Sequence, residues 1–385
     1  MARRWLVSLI LLLSVLTSCG GGSQTAAEPM GEVVATSTLV PSTSTPAPPT
    51  ATPEPPTATP APPTPTPMPV NVIRHVPYID DGHPLHLAAI YLPAEAKGPF
   101  PTVIVYHSGM FWDGDAEYLD GYDEVGHFFA GRGYAAVVPA YRLSNEDPYP
   151  AAVEDAFCAL AWAHTVAAEY GFDVARVATF GLDSGGNLAA MVGTVDEPQR
   201  FLAACPHSLP EQAWVHAVAA INGYYDLPLL VVSWSQTWFY PFINTYMQGL
   251  TEDAIKKLSE TGLLSASATA GAQGTPEEIA ARYAEASPVT WIDGSEPPFL
   301  LIRNRTTALF DVDKLSQGFS DVLSANAVPV QSIQIPSQIP AFLPLQYGMW
   351  GGMMKSQGVT YEPSLDDYGI PEAEAFFAEH LGMAE

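Results

Sequence analysis

The sequence predicts an α/β fold, a mostly parallel central sheet with helices on both faces, and three observations predict it. Strand-like apolar runs alternate with longer segments through residues 70–385, those segments carry apolar residues at helical spacing, and no internal repeat breaks the order. The runs read as strands are LHLAAIYL, PTVIVYH, YAAVVPAY, RVATFG, HAVAAING, PPFLLIRN and VQSIQIP. Helical spacing marks AAVEDAFCALAWAHTVAAEYG, KLSQGFSDVLSAN and PEAEAFFAEHLG.

Ahead of the first strand the chain has another character. Residues 1–19 begin with Arg3 and Arg4 and continue with an apolar run too short and wrongly flanked for a stable transmembrane span. The run ends at Leu16-Thr17-Ser18-Cys19 and resembles a bacterial lipoprotein signal, which implies lipidation of Cys19 and anchoring outside the cytoplasm. Residues 20–69 are dominated by Thr, Pro, Ala and Ser. Such a segment buries no core and favours extended polyproline II, so it reads as a disordered stalk on the order of 100 Å long. Residues 70–385 then suffice for one large domain.

Inside that domain the longest interruption is 227–286, with the aromatic run SWSQTWFYPFINTYM. An insertion at the carboxyl ends of the strands fits a lid over a pocket, and the same aromatics fit the core of a helical insert. The net charge is −26 with no Lys/Arg cluster, which argues against nucleic acid or acidic lipid as a partner and fits solubility. With Cys19 used as the anchor, Cys158 and Cys205 remain, and their separation leaves both a disulfide and two buried thiols open.

Several runs resemble the carboxylesterase branch of the α/β-hydrolases, the group of hormone-sensitive-lipase-like and feruloyl-esterase-like enzymes. They are VYHSGMFWDGD, GRGYAAVVPAYRLS, YPAAVEDAFCALAWAHTVAAEYGFDVARVATFG, GGNLAA and EASPVTWIDGSEPPFLLI, in order over most of residues 70–385. The resemblance implies an α/β-hydrolase fold and acyl transfer by a nucleophile at a strand-turn-helix elbow, a histidine base, an acid that orients it, and backbone donors for an oxyanion.

The site positions depart from that pattern. In ATFGLDSGGNLAAM, Gly181 and Gly185 frame Asp183 where the family carries serine, and Ser184 falls one place later. The family's acid position reads Thr307, in the run Arg303-Asn304-Arg305-Thr306-Thr307, and its histidine position reads Pro340. Asp311 and Asp313 stand at a helix start, where the helix dipole alone favours acids. His380 lies in the final helix among glutamates and reads as a solvated residue, and nothing in the sequence brings His107 or His127 into the place of the base. His107-Ser108-Gly109 matches the oxyanion loop with serine for the first glycine, and reads equally well as a tight turn.

Three changed positions make hydrolysis by the family's mechanism improbable, since loss of one triad member already costs orders of magnitude in rate. Asp183 at a helix N-terminus is expected to occupy the oxyanion hole, with Arg303 and Arg305 either pairing with it, holding an anionic ligand, or standing as loop charges. The function expected is therefore a lipid-anchored, carboxylesterase-like protein that has lost catalysis and binds a small ester-like ligand or a protein partner through its cleft. The alternative is an active ester hydrolase using Ser184 in a shifted elbow, or Asp183 as an aspartate nucleophile. No cofactor is expected. His83 and His86 suggest no metal site, because spacing supplies them no acidic or histidine partner.

Overall fold

Among the described residues eight strands form one sheet, in the order β1-β2-β4-β3-β5-β6-β7-β8. They are β1 (Val70–Pro77), β2 (Leu87–Pro93), β3 (Phe100–Tyr106), β4 (Ala135–Pro139), β5 (Phe172–Leu182), β6 (Ala217–Ile221), β7 (Phe299–Asn304) and β8 (Val330–Ile335). The computed structural model describes residues 67–112, 122–211, 214–234, 240–248, 274–304, 312–335 and 365–383. The segment read as a signal, with Cys19, and nearly all of the segment read as a stalk lie outside these residues, as do Arg305, Thr307, Asp311 and Pro340.

β1 and β2 run antiparallel to their neighbours, and all pairs from β3–β4 to β7–β8 are parallel. Strands covered on both faces need apolar residues at every position, and β3, FPTVIVY, and β4, AAVVP, are buried throughout. Outermost β1 is instead mostly exposed or half-buried. Its VNVIRHVP is absent from the strands read in the sequence, because an edge strand that covers little core carries no continuous apolar run.

Two apolar layers flank the sheet. On one face α2 (Ala151–Thr165), α3 (Ser184–Thr194) and α7 (Val312–Ala325) bury Phe157, Leu160, Leu188, Met191, Leu315 and Phe319 against alternate residues such as Ile104 and Leu301. On the other face α1 (Asp123–Ala130) and α8 (Ile370–His380) bury Val125, Phe129, Phe376 and Phe377 against Val103, Phe180 and Ile302. Cys158 of α2 and Cys205 form a disulfide with Cα atoms 5.5 Å apart, which settles the choice that their spacing left open.

Within 227–286 the described part is helical: α4 (Leu227–Trp234), α5 (Tyr240–Tyr246) and α6 (Pro276–Glu285). Tyr246 is buried and stacks on Phe111 with ring centroids 3.8 Å apart, so this insertion reaches the loop after β3.

Candidate functional site

The chain reverses sharply between β5 and α3, and the reversal centres on Asp183. Its backbone lies at φ 59°, ψ −118°, a conformation that costs a non-glycine residue of order 1–3 kcal/mol. The Asp183 N–H bonds the Ile221 carbonyl at 2.9 Å, and its own carbonyl accepts from Asn187 at 3.1 Å to begin the helix. Close packing fixes the register. A Cβ on Gly181 would lie 2.1 Å from the carbonyl oxygen of Gly185, and one on Gly185 would lie 2.1 Å from that of Tyr106. The glycine frame therefore encloses Asp183, and Ser184 is the first residue of the helix.

Beside this turn, β3 runs into Gly109, Met110 and Phe111, three successive residues at positive φ of 128°, 55° and 59°. A turn bond from the Trp112 N–H to the Gly109 carbonyl closes the loop at 2.9 Å. This turn directs the N–H groups of Gly109 and Met110 at one place, where they favour negative charge. What lies there is Asp183. Its side chain is buried, and that burial pushes its pKa up to about 8, against the N–H groups of Gly109, Ser184 and Met110, which draw it down. Neither carboxyl oxygen completes a hydrogen bond of good geometry among the described residues. At pH 7 Asp183 is thus mainly in its neutral, protonated form.

The three residues of the expected oxyanion loop have separate fates. The Ser108 N–H is occupied by Tyr122 Oη at 2.6 Å, so the donors directed at Asp183 are Gly109 and Met110. His107 is buried, its Nδ1–H donates to the Ser108 carbonyl at 2.7 Å, and its ring stacks on Tyr141 at 4.0 Å. Tyr141 Oη donates to the His107 carbonyl at 2.8 Å and lies 3.2 Å from Ser184 Oγ. Because the single tyrosyl proton goes to a carbonyl, the Ser184 hydroxyl is the donor to Tyr141. Burial holds Tyr141 well above the ordinary tyrosine range, so it is no base for Ser184. Met110, Tyr122 and Tyr141 escaped the sequence reading. Tyr141 stood within the quoted run PAYRLS, whereas nothing near Tyr122 marks its role.

Arg303 is the penultimate residue of β7 and its Nη1 lies 3.4 Å from Asp313 Oδ1, in the first turn of α7. Among the described residues Asp183 is not its partner, so of the readings left open for Arg303 the pairing with Asp183 falls: β6 lies between β5 and β7. His127 sits on α1 with its Nδ1 against the Asp123 carbonyl at 2.8 Å and its ring edge-on to Tyr91, away from the elbow. His380 packs edge-on against Phe376.

His86 has acidic partners that its spacing did not suggest: folding places its Nδ1 2.9 Å from Asp81 Oδ2 and its Nε2 3.2 Å from the buried Asp155. Asp155 is gripped in turn by Arg142, which also meets Glu154. Among the described residues no three His, Cys, Asp or Glu side chains are grouped to hold a metal ion.

Fold, elbow and loop together match an esterase scaffold, and the BD-FAE family model matches residues 88–317. The chain belongs to the BD-FAE family. The carboxylesterase resemblance read from the sequence is thereby borne out. Among curated relatives, Carboxylesterase NlhH of Mycobacterium tuberculosis is 38% identical over 104 residues, which are 27% of this chain and 32% of that protein. Esterase LipC of the same organism is 22% identical over 264 residues, 68% of this chain and 58% of its own. This chain spans about a third of the length of the first of these relatives. Among solved structures, Esterase B of Lactobacillus rhamnosis superposes with a TM-score of 0.57 at 19% identity, covering 82% of this chain and 88% of that one. A truncated carbohydrate esterase from gut microbiota gives 0.56 at 18%, covering 81% and 96%. At these identities the structural likeness shows the α/β-hydrolase fold.

Proposed function

We propose that this protein is a non-hydrolytic BD-FAE member, held outside a bacterial cytoplasmic compartment by lipidated Cys19, that binds a small ligand or a protein partner through the cleft its relatives use for ester hydrolysis. The observation that carries this reading is Asp183 at the elbow: buried, neutral at pH 7, and joined to no imidazole by either carboxyl oxygen among the described residues. An aspartate nucleophile must be ionised and needs a base to activate the water that frees its ester intermediate. Ser184 serves no better, because its hydroxyl is buried and donates to a neutral tyrosine. The Cys158–Cys205 disulfide supports the export half of the reading, since disulfides persist in oxidising compartments.

The test is fluorophosphonate labelling of the full-length protein with peptide mapping, beside an active carboxylesterase. The expected result is no label on Ser184 and no esterase turnover, and none gained in Asp183→Ser, which restores a nucleophile without a base. Labelled Ser184, or turnover in Asp183→Ser, would assign the protein to the active hydrolases instead.

A further inference from the structure

The Asp183 carboxyl stands in an unusual chemical setting. Backbone N–H groups of Gly109, Met110 and Ser184 approach it, all donors, and α3 directs its positive end at the same place. The nearby acceptors are taken: the His107 carbonyl by Tyr141, the Tyr141 oxygen by Ser184, and the Tyr122 oxygen by the Ser108 N–H. No acceptor meets the Asp183 acid among the described residues, and neither of its buried oxygens has a hydrogen bond of good geometry there. The titratable groups around it are Tyr122 and Tyr141, with Tyr246 beyond Tyr141, and the imidazole of His107 against Tyr141. Among the described residues no side-chain charge shifts its titration.

We propose that Asp183 donates its carboxyl proton in a hydrogen bond to the carbonyl oxygen of an uncharged acyl ligand, an ester or an amide, which the site holds intact. The inference rests on the non-hydrolytic reading above and names its ligand class. A buried donor left unpaired is destabilising, and an external acceptor removes that cost. A neutral carbonyl fits better than either charged alternative. An ammonium would add donors to a place already lined by N–H groups, and a carboxylate would have to lose its hydration while entering a chain of net charge −26. Buried Phe111, stacked on Tyr246, follows Gly109 and Met110 in the same loop, so apolar side chains adjoin the site.

Saturation-transfer NMR on the full-length protein with ethyl butyrate and with its hydrolysis-resistant counterpart N-ethylbutyramide tests this. Both bind at pH 6 and weaken about tenfold by pH 9, as expected for a recognition proton lost near pH 8. Asp183→Asn, whose amide N–H replaces the proton, binds both with no pH dependence, and Asp183→Leu loses binding while its far-UV circular dichroism stays native. Equal wild-type affinity at the two pH values, absence of binding at both, or Asp183→Asn as weak as Asp183→Leu would overturn the proposal. So would preferential binding of butylammonium that strengthens with pH, which would make Asp183 a cation site. Release of butyrate from the ester overturns the non-hydrolytic reading instead, and the amide arm still reads the proton's role on its own.

Discussion

Asp183 is costly to keep where it is, and the cost depends on pH in a way that can be worked out. In the unfolded chain the carboxyl titrates near its ordinary value of 3.8, and in the folded one near 8. Below pH 3.8 both states hold the proton and the group's contribution to stability is fully present. As pH rises the unfolded state releases its proton first, so that contribution is lost progressively until the folded state also ionises. At about 1.4 kcal/mol per unit, the loss at pH 7 is on the order of 4 kcal/mol. Asp183→Asn removes the titration. Urea denaturation of both proteins should therefore show the variant's advantage growing from pH 4 to pH 7 and levelling off above pH 8; a constant difference would mean that the carboxyl is not protonated in the folded state. The identity of the tip residue was legible in the sequence, because Gly181 and Gly185 bracket it in a motif whose spacing is set by backbone contact. Its protonation was not, since that depends on how completely Phe111, Tyr122 and Tyr141, distant in sequence, keep water away.

Between elements, the His86 junction ties the β1–β2 connection to the end of β4 and to α2. Asp81 and His86 come from the first, Arg142 from the second, Glu154 and Asp155 from the third. Burial alone would lower the His86 pKa, but the hydrogen bonds and charges of Asp155 and Asp81 outweigh it and raise it above 6.5. A base whose folded pKa is raised stabilises fully below its unfolded pKa and loses that contribution as pH rises through the folded one. His86→Gln should thus be destabilising by a margin that is larger at pH 5.5 than at pH 8.5, measured by chemical denaturation of the two proteins. An unchanged margin would leave His86 a neutral packing residue. The central strands and long helices were legible from apolar runs and helical spacing. The junction was not, because its members lie on three segments and only the antiparallel pairing of β2 with β4 brings the first two together.

For the molecule as a whole, the disulfide closes a loop of 47 residues that includes β5, the elbow and α3. Chain-entropy reasoning assigns such a loop about 4 kcal/mol. Cys158→Ala/Cys205→Ala should lower the guanidinium midpoint accordingly, and a reductant should bring wild type to the variant's value while leaving the variant unchanged; equal midpoints in oxidising buffer would show the bridge to be absent or without effect. By itself the sequence determined the α/β class, the register of the elbow and the likeness to carboxylesterases, because periodicity and short glycine frames are local and survive without knowledge of the fold. Only the tertiary structure decided that Cys158 meets Cys205, that Arg303 turns to Asp313 and away from Asp183, and that Asp183 lies among backbone donors as a neutral acid. Those outcomes depend on desolvation and on contacts between residues far apart along the chain, and both exist only once the sheet has assembled.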